Sequence, residues 1–166
     1  MPDIHLISHS ELEFEGKRYT CTIGENGFTD TPKEGGKATP LGVYALRECW
    51  YRADRLQKPK TSLPLKVINE NDGWCDDPAH PDYNRHVKLP FSALHETLWR
   101  AEHIYDIIVP IGFNDNPVIP GKGSAIFFHL AKPDYSPTLG CVAIALPDML
   151  EILLKIDKAS RIVITP

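Results

Sequence analysis

The sequence predicts a single β-rich α+β domain with two helices, spanning residues 1–166. Apolar runs of strand length, bounded by glycine, proline and polar turn residues, recur along the chain, whereas two segments alone have helical spacing. The length is typical of one domain with its own core. The 15 prolines, most of them between Pro32 and Pro147, favour a loop-rich fold over a helical bundle.

The N-terminal half is predicted to form short strands joined by turns. The stretch "ELEFEGKRYTCTIGENG" alternates apolar and polar residues around Gly16, which is typical of a β-hairpin. After a segment rich in proline and glycine, residues 42–49 again have strand character. Residues 63–69 are predicted to form another short strand, and the turn at Asp72 and Gly73 follows it.

The middle of the chain combines a long polar segment with a predicted helix. The segment "GWCDDPAHPDYNRHVKLPF" contains three prolines and therefore cannot be helical throughout. A loop of this length in a compact domain is often functional. Residues 92–106 are predicted to form a helix, because Ser92 is a candidate N-cap and Leu94, Leu98 and Ala101 repeat at helical spacing.

The C-terminal part is predicted to hold buried strands and the second helix. The runs "DIIVPIG", "SAIFFHL" and "CVAIA" are apolar enough for buried strands. The segment "LPDMLEILLKIDK" has the pattern of an amphipathic helix with Pro147 in its first turn. The run "RIVIT" is predicted to close the chain as a strand.

Composition excludes several classes of protein. The net charge is −4 and no run of Lys or Arg occurs, so nothing indicates nucleic-acid binding. No segment approaches the length of a membrane span. The N-terminus lacks an export signal, so we expect a cytoplasmic protein, or a periplasmic one if the natural chain begins further upstream. Four cysteines without a C-x-x-C pair are predicted to be free thiols in that reducing compartment.

A histidine and a cysteine lie at the facing ends of two predicted strands. His129 ends the run "SAIFFHL", and Cys141 begins "CVAIA". Neighbouring strands joined by a short loop bring such ends together, so a spacing of twelve residues in sequence can become a hydrogen-bond distance between the two side chains. Gly140 permits a tight turn whose backbone N–H groups can face an oxyanion. Thiol, base and oxyanion donors are what cysteine acyl transfer requires, so Cys141, His129 and Gly140 are candidate catalytic residues. From spacing alone, a buried structural cysteine beside a strand-end histidine is an equal alternative.

The stretch from His129 to Ile144 resembles the YkuD-type L,D-transpeptidase catalytic domain. Members of that family have a strand ending in an essential His, then a loop, S/T-x-G-C and an apolar strand, and here "TLGCVAI" follows His129. The upstream stretch "GKATPLGVY" matches the family's T-P-x-G motif, and the ending "DMLEILLKIDKASRIVIT" is also similar. The resemblance extends from about Gly35 to the C-terminus. It implies a YkuD-like mixed β-sandwich or barrel.

The chain departs from the family pattern at three positions around the motif. Leu130 follows His129 where most members have Gly, and Leu139 replaces a second His. Ala143 lies where most members have an Arg two residues after the cysteine. The sequence is therefore a divergent branch. Another cation, Arg85 or Arg100, is a candidate replacement for the missing Arg.

The resemblance implies action on peptidoglycan stem tetrapeptides or muropeptides without a cofactor. The Cys141 thiolate would attack the L,D-amide before the terminal D-Ala, with His129 as base and then acid. Transfer of the acyl group to water would be L,D-carboxypeptidase activity, which suits cytosolic muropeptide recycling. Transfer to an amine would form a 3-3 cross-link. The expected cytoplasmic location favours hydrolysis.

The substrate side is predicted to be lined by charged and polar groups, which complement a peptide with carboxylates and an amine. The candidates lie in three segments, residues 83–85, residues 96–100 and residues 138–139. Glu96 and Arg100 are four residues apart, which also suits a simple surface ion pair on a helix. The substrate-binding candidates are Tyr83, Asn84, Arg85, Glu96, Arg100, Thr138 and Leu139.

Two other functions remain open at this point. The ligand types Cys75, Asp76, His80 and His86 could form the zinc site of a peptidase, although no H-E-x-x-H or H-x-E pattern occurs. A metal site is therefore not predicted. The chain could also be a non-catalytic peptidoglycan-binding module, although such a module has no need for both His129 and Cys141.

Overall fold

The computed structural model describes residues 2–166, which form fifteen strands and one helix. The single helix, α1, spans Leu146–Lys155. The strands are β1 Ile4–Leu6, β2 Glu11–Phe14, β3 Lys17–Thr22, β4 Phe28–Thr29, β5 Thr39–Pro40, β6 Gly42–Ala45, β7 Cys49–Tyr51, β8 Leu65–Val67, β9 Asp72–Cys75, β10 His86–Lys88, β11 His95–Thr97, β12 Ile107–Pro110, β13 Phe127–Leu130, β14 Val142–Ile144 and β15 Arg161–Ile164.

Ten of the strands form one mixed sheet that curls into a half-barrel. Its order is β6-β15-β1-β2-β3-β14-β13-β12-β7-β8. The neighbouring strands β13 and β14 are parallel, with His129 opposite Ala143, and β12 and β3 flank them antiparallel. A three-stranded sheet, β10-β9-β11, and the short parallel pair β4-β5 complete the fold. The β-rich class is confirmed.

The central strands are buried on both faces, because consecutive residues point into different apolar clusters. Phe128 faces the helix-side core, whereas Phe127 faces the smaller site-side cluster. The helix-side core contains, among others, Ile4, Leu12, Phe14, Val109, Phe128, Leu130, Val142, Ile144, Met149, Ile152, Leu153, Ile162 and Ile164. The site-side cluster consists of Trp50, Ile68, Leu98, Tyr105, Ile108, Ala125, Phe127 and Cys141.

The predicted C-terminal helix is confirmed. Helix α1 has Pro147 at its first turn, Asp148 in that turn and Lys155 in the last turn, which all suit the polarity of a helix. It packs Met149, Ile152 and Leu153 into the helix-side core. No helix in residues 2–166 is long and apolar enough to cross a membrane.

The helix predicted over residues 92–106 is wrong, so one helix forms where two were expected. This segment contains strand β11 followed by turns. Leu98 is buried, but Leu94 is 67% exposed and Ala101 is exposed as well. The three residues at helical spacing therefore never share a buried face, and pairing of β11 with β9 outweighs the local helix propensity.

Candidate active site

A cavity of about 500 Å³ opens on the face of the sheet that bears the site-side cluster. Both Cys141 and His129 line it. This volume is in the range of small-molecule and peptide sites. Other residues of its wall are Glu34, Asp76, Glu96, Arg100, Tyr105, Ser124, Ala125, Thr138, Leu139 and Ala143.

The parallel pairing of β13 and β14 places the two candidate catalytic side chains on one face of the sheet. Phe127 and His129 alternate with Phe128 on β13, and Cys141 immediately precedes β14. Because His129 pairs with Ala143, it lies one side-chain row, about 7 Å along the strand, beyond Cys141. The hydrogen-bond distance that the sequence allowed between His129 and Cys141 is therefore not reached in this resting structure, where their side chains bond to backbone groups instead.

The Cys141 thiol is held by backbone groups instead. Its Sγ donates to the Ala125 carbonyl oxygen at 3.2 Å and accepts from the Phe127 N–H at 3.3 Å. Burial, with a smaller contribution from the Glu96 carboxylate, raises the pKa of the Cys141 thiol to about 12. The resting residue is a protonated thiol with a fixed orientation.

The His129 imidazole is buried and neutral. Its Nδ1 donates to the Leu130 carbonyl oxygen at 2.9 Å, which leaves Nε2 as the unprotonated nitrogen. Burial lowers the pKa of His129 to about 4, against the opposing effects of backbone hydrogen bonds with Leu130 and Ile104. The Tyr105 ring meets the imidazole edge-on, with centroids 5.2 Å apart. In this tautomer Nε2 carries no proton and is available to accept one.

The T-P-x-G stretch holds the loop that precedes the cysteine. The buried Thr39 hydroxyl donates to the Gly140 carbonyl oxygen and accepts from the Gly24 N–H, each at 2.9 Å. Gly140 has φ +135°, and a Cβ there would lie 3.0 Å from the Ala38 carbonyl oxygen. A glycine is required because the two motifs approach backbone to backbone.

The Gly140 N–H, predicted to face an oxyanion, has an acceptor within the loop. It donates to Thr138 Oγ1 at 3.1 Å, and this hydroxyl in turn donates to the Cys141 carbonyl oxygen at 2.7 Å. Thr138 thus stabilises the turn while it also lines the cavity. Leu139 lies at the cavity wall with 74% of its surface exposed.

The comparison with protein-family models decides the family of this fold and site. The YkuD model, described as the L,D-transpeptidase catalytic domain, matches residues 10–164. The chain belongs to the YkuD family. Comparisons with curated proteins and with solved structures give no match. The predicted resemblance is thereby confirmed over nearly the whole chain, and YkuD-family enzymes act on peptidoglycan peptides.

Arg100, a candidate replacement for the missing Arg, lines the cavity of this YkuD domain together with Cys141, His129 and Ala143. The Arg100 guanidinium lies over the Tyr105 ring, 5.1 Å from its centroid, and 3.9 Å from Glu96. The Tyr105 hydroxyl donates to Glu96. Burial raises the pKa of Glu96. The Arg85 side chain is exposed and does not line this cavity.

Tyr83 and Asn84 lie behind the cavity wall. The Tyr83 hydroxyl donates to Glu34 at 2.7 Å and accepts from the Gly123 N–H. Asn84 makes four hydrogen bonds to protein groups. Both side chains are buried, so the structure gives them contacts with the wall rather than with the cavity.

The zinc alternative finds no support in the geometry. Residues 2–166 contain no group of three or more His, Cys, Asp or Glu side chains arranged to hold a metal ion. His86 bonds to Asp72 at 2.7 Å, and His80 Nδ1 accepts from the Asp82 N–H.

Sequence reasoning missed two residues at the centre of the site. Ala125 supplies the acceptor for the thiol, but a carbonyl group leaves no mark on the sequence. Glu34 faces the cavity from the proline- and glycine-rich segment, where its carboxylate accepts from Tyr83 and Ser124. Tyr105 belongs to the site-side cluster and also lies beside His129.

Proposed function

We propose that this YkuD-family chain is a cysteine L,D-carboxypeptidase that converts peptidoglycan tetrapeptides to tripeptides. The observation that best supports this function is the placement of Cys141 and His129 on adjacent strands, facing one cavity. The family match supports the peptide class.

The proposed reaction has two halves. The Cys141 sulfur attacks the carbonyl carbon of the amide before the terminal D-Ala, and His129 Nε2 takes the thiol proton. The C–N bond then breaks, His129 returns the proton to the departing amine, and D-Ala leaves. Water next attacks the thioester, with His129 as base, and releases the tripeptide and the free thiol.

The resting site requires a rearrangement before attack. Burial raises the pKa of Cys141 to about 12 and lowers the pKa of His129 to about 4, so the neutral pair is strongly favoured over the ion pair. The thiol also points to the Ala125 carbonyl oxygen rather than to His129. Bound substrate must therefore turn the thiol towards His129 and stabilise the charges as they develop.

Hydrolysis in the cytoplasm is the form of the reaction that we propose. All four cysteines are buried and unpaired, as expected in a reducing compartment. Soluble muropeptides are the substrates that such a compartment offers, and removal of their terminal D-Ala suits recycling. An L,D-transpeptidase that forms 3-3 cross-links is the alternative, and it differs in the acceptor alone.

The test is mass spectrometry of the protein incubated with a muropeptide tetrapeptide, with and without an amine acceptor. We expect loss of one D-Ala and no such loss with Cys141→Ala. Cys21→Ala is the matched control, because Cys21 is also a buried thiol with its pKa raised to about 12 but lies in the helix-side core. It should retain activity.

Each result separates the candidates. Cross-linked dimer in place of tripeptide would make the chain a transpeptidase. Binding of the tetrapeptide without turnover, unchanged by Cys141→Ala, would indicate a non-catalytic module. Cell fractionation with an antibody against the native chain tests the location, and a periplasmic signal would contradict the recycling proposal.

A further inference from the structure

Asn84 is a fully engaged buried amide behind the cavity wall. Its Nδ2 donates to the carbonyl oxygens of Phe113 at 3.1 Å and Asn114 at 2.8 Å. Its Oδ1 accepts from the Ala125 N–H and from Trp74 Nε1, each at 3.0 Å. Asn84 itself has φ +57°, a conformation that asparagine tolerates better than most residues. It therefore links β9 to the cavity wall.

Ala125, the residue that Asn84 holds, has a backbone conformation that alanine rarely adopts. Its φ is +53°, in the left-handed region that is unfavourable for a residue with a Cβ. Such a conformation persists where surrounding contacts over-determine it. The hydrogen bond to Asn84 is one of those contacts.

The orientation of Ala125 fixes the orientation of the thiol. The peptide on the C-terminal side of Ala125 contributes the carbonyl oxygen that accepts from Cys141 Sγ at 3.2 Å. The Phe127 N–H, two residues further on, donates to the same sulfur at 3.3 Å. If Ala125 relaxed to negative φ, its carbonyl group would rotate away and leave Sγ with the Phe127 contact.

We propose that Asn84 is a positioning residue that holds the Cys141 thiol in its resting orientation through Ala125. Asn84 fixes the Ala125 N–H, and the Ala125 carbonyl oxygen then holds the sulfur beside the cavity. A carbonyl acceptor stabilises the neutral thiol and disfavours the thiolate. This clamp, formed by the Asn84 side chain and the Ala125 backbone, therefore fixes the position of the sulfur beside the cavity and keeps the thiol protonated. The S–H bond turns from Ala125 towards His129 only when substrate binds. This role rests on the proposed function of Cys141 as nucleophile.

The experiment compares Asn84→Gly with Asn114→Gly. Glycine fits the positive φ of both positions, +57° and +49°, so the backbone is not strained by either change. Asn114 is also a buried asparagine that holds the same wall segment, through the Gly123 carbonyl oxygen at 2.9 Å. Its side chain makes no bond to Ala125, so Asn114→Gly reports the effect of loosening the segment alone.

Two readouts are measured on the full chain. The first is the iodoacetamide alkylation rate of Cys141 at pH 8, followed by peptide mapping, which needs no substrate. We expect Asn84→Gly to react at least about tenfold faster than Asn114→Gly, because its thiol loses the carbonyl acceptor. The second is turnover of the tetrapeptide, where kcat should fall by at least about tenfold with KM little changed, because the sulfur is no longer aligned.

The same alkylation rate in the two glycine variants would overturn the proposal. If Asn84→Gly does not fold, Asn84→Asp replaces it. Buried against the Phe113 and Asn114 carbonyl oxygens, the new carboxyl group is held in its protonated form, so that it donates to one of them while its other oxygen still accepts from Ala125 and Trp74. Asn84→Asp should then alkylate no faster than wild type, and faster alkylation would overturn the proposal. A wild-type protein without turnover but with the expected alkylation pattern would contradict the proposed function and leave the clamp intact.

Discussion

At the scale of single residues, Thr39 joins the two family motifs through one hydroxyl. It is fully buried and bonds both the Gly140 carbonyl oxygen and the Gly24 N–H. Thr39→Val keeps the shape but leaves both backbone groups unpaired, which should lower the free energy of unfolding by about 1–3 kcal/mol. Tetrapeptide turnover should also fall, because the loop that precedes Cys141 loses its anchor. Urea denaturation and kcat measure the two effects.

The control for Thr39 is Thr39→Ser, which retains the hydroxyl and removes a methyl group. It should keep most of the stability and activity. Equal losses in the Val and Ser variants would contradict a dominant role of the hydroxyl, because the methyl group would then matter as much.

His129 should make the stability of the fold depend on pH. Its pKa is about 4 in the folded protein, because burial disfavours the charged form, and near 6.5 in the unfolded chain. Between these values the unfolded state binds a proton that the folded state does not, so stability falls as pH decreases from 6.5 towards 4. The contribution is on the order of 3 kcal/mol.

A comparison of wild type with His129→Gln isolates this contribution. Other groups titrate in the same range, but they do so in both proteins. The difference in unfolding free energy between the two should therefore shift in favour of the variant as pH falls from 7 to 4.5. A difference that stays constant over this interval would mean that His129 is not buried in its neutral form.

At residue scale, sequence reasoning identified the candidate nucleophile and base and missed their support. Cys141 and His129 belong to a recognisable motif. The clamp made by Asn84 and Ala125 joins residues far apart in sequence, and one partner acts through its backbone alone. Side-chain identity holds no information about such a contact.

At the scale of elements, the segment after β11 illustrates how tertiary contacts replace a local preference. Two arginines on the turn after β7 bind the backbone of the segment after β11. Arg52 donates to the Arg100 carbonyl oxygen at 2.8 Å, and Arg55 donates to the carbonyl oxygens of Ala101 and Glu102. These carbonyl groups would be paired within a helix. The helix prediction was wrong because a local sequence pattern does not reveal these long-range donors. Strands such as β2, β3 and β13 were predicted correctly, because local alternation and apolar runs are enough to indicate them.

Arg52→Lys should displace this segment and weaken substrate binding. Arg52 is almost fully buried, stacks on Trp99 at 3.5 Å and pairs with Asp54 through two nitrogens. A lysine cannot reproduce the planar fork, so we expect a loss of about 2 kcal/mol in unfolding free energy. Because the displaced segment includes Arg100, which lines the cavity, KM for the tetrapeptide should rise. Denaturation and steady-state kinetics measure both.

Arg47→Lys is the matched control for this prediction. Arg47 also forms a two-nitrogen pair with a carboxylate, Asp115, but the pair is exposed. Its loss should cost less than about 1 kcal/mol and leave KM unchanged. A rise in KM for Arg47→Lys as large as that for Arg52→Lys would contradict a specific role of the anchored segment.

At the scale of the whole molecule, the curled ten-stranded sheet has the helix-side core on one face and the site-side cluster, with its cavity, on the other. Strand β13 contributes Phe128 to the helix-side core and Phe127 to the site-side cluster. The class of fold follows from the apolar runs that build this sheet. The cavity wall does not, because it is assembled from irregular segments around Glu34, Asp76, Arg100 and Ser124, whose meeting depends on turns and long-range hydrogen bonds.

The two neighbouring phenylalanines test this separation. Phe127→Leu and Phe128→Leu each remove part of a buried ring, so both should lower the unfolding free energy by about 1–3 kcal/mol. The Phe127 ring packs against the rings of Trp74 and Tyr105, with centroids 5.1 Å and 5.8 Å apart, and Tyr105 in turn contacts the His129 imidazole, so the Phe127 variant should also lower kcat. Phe128→Leu, on the opposite face, should leave kcat close to wild type at temperatures where the protein is folded. Equal losses of kcat in the two variants would mean that the sheet transmits packing changes from one face to the other, and that the core and the site are not independent.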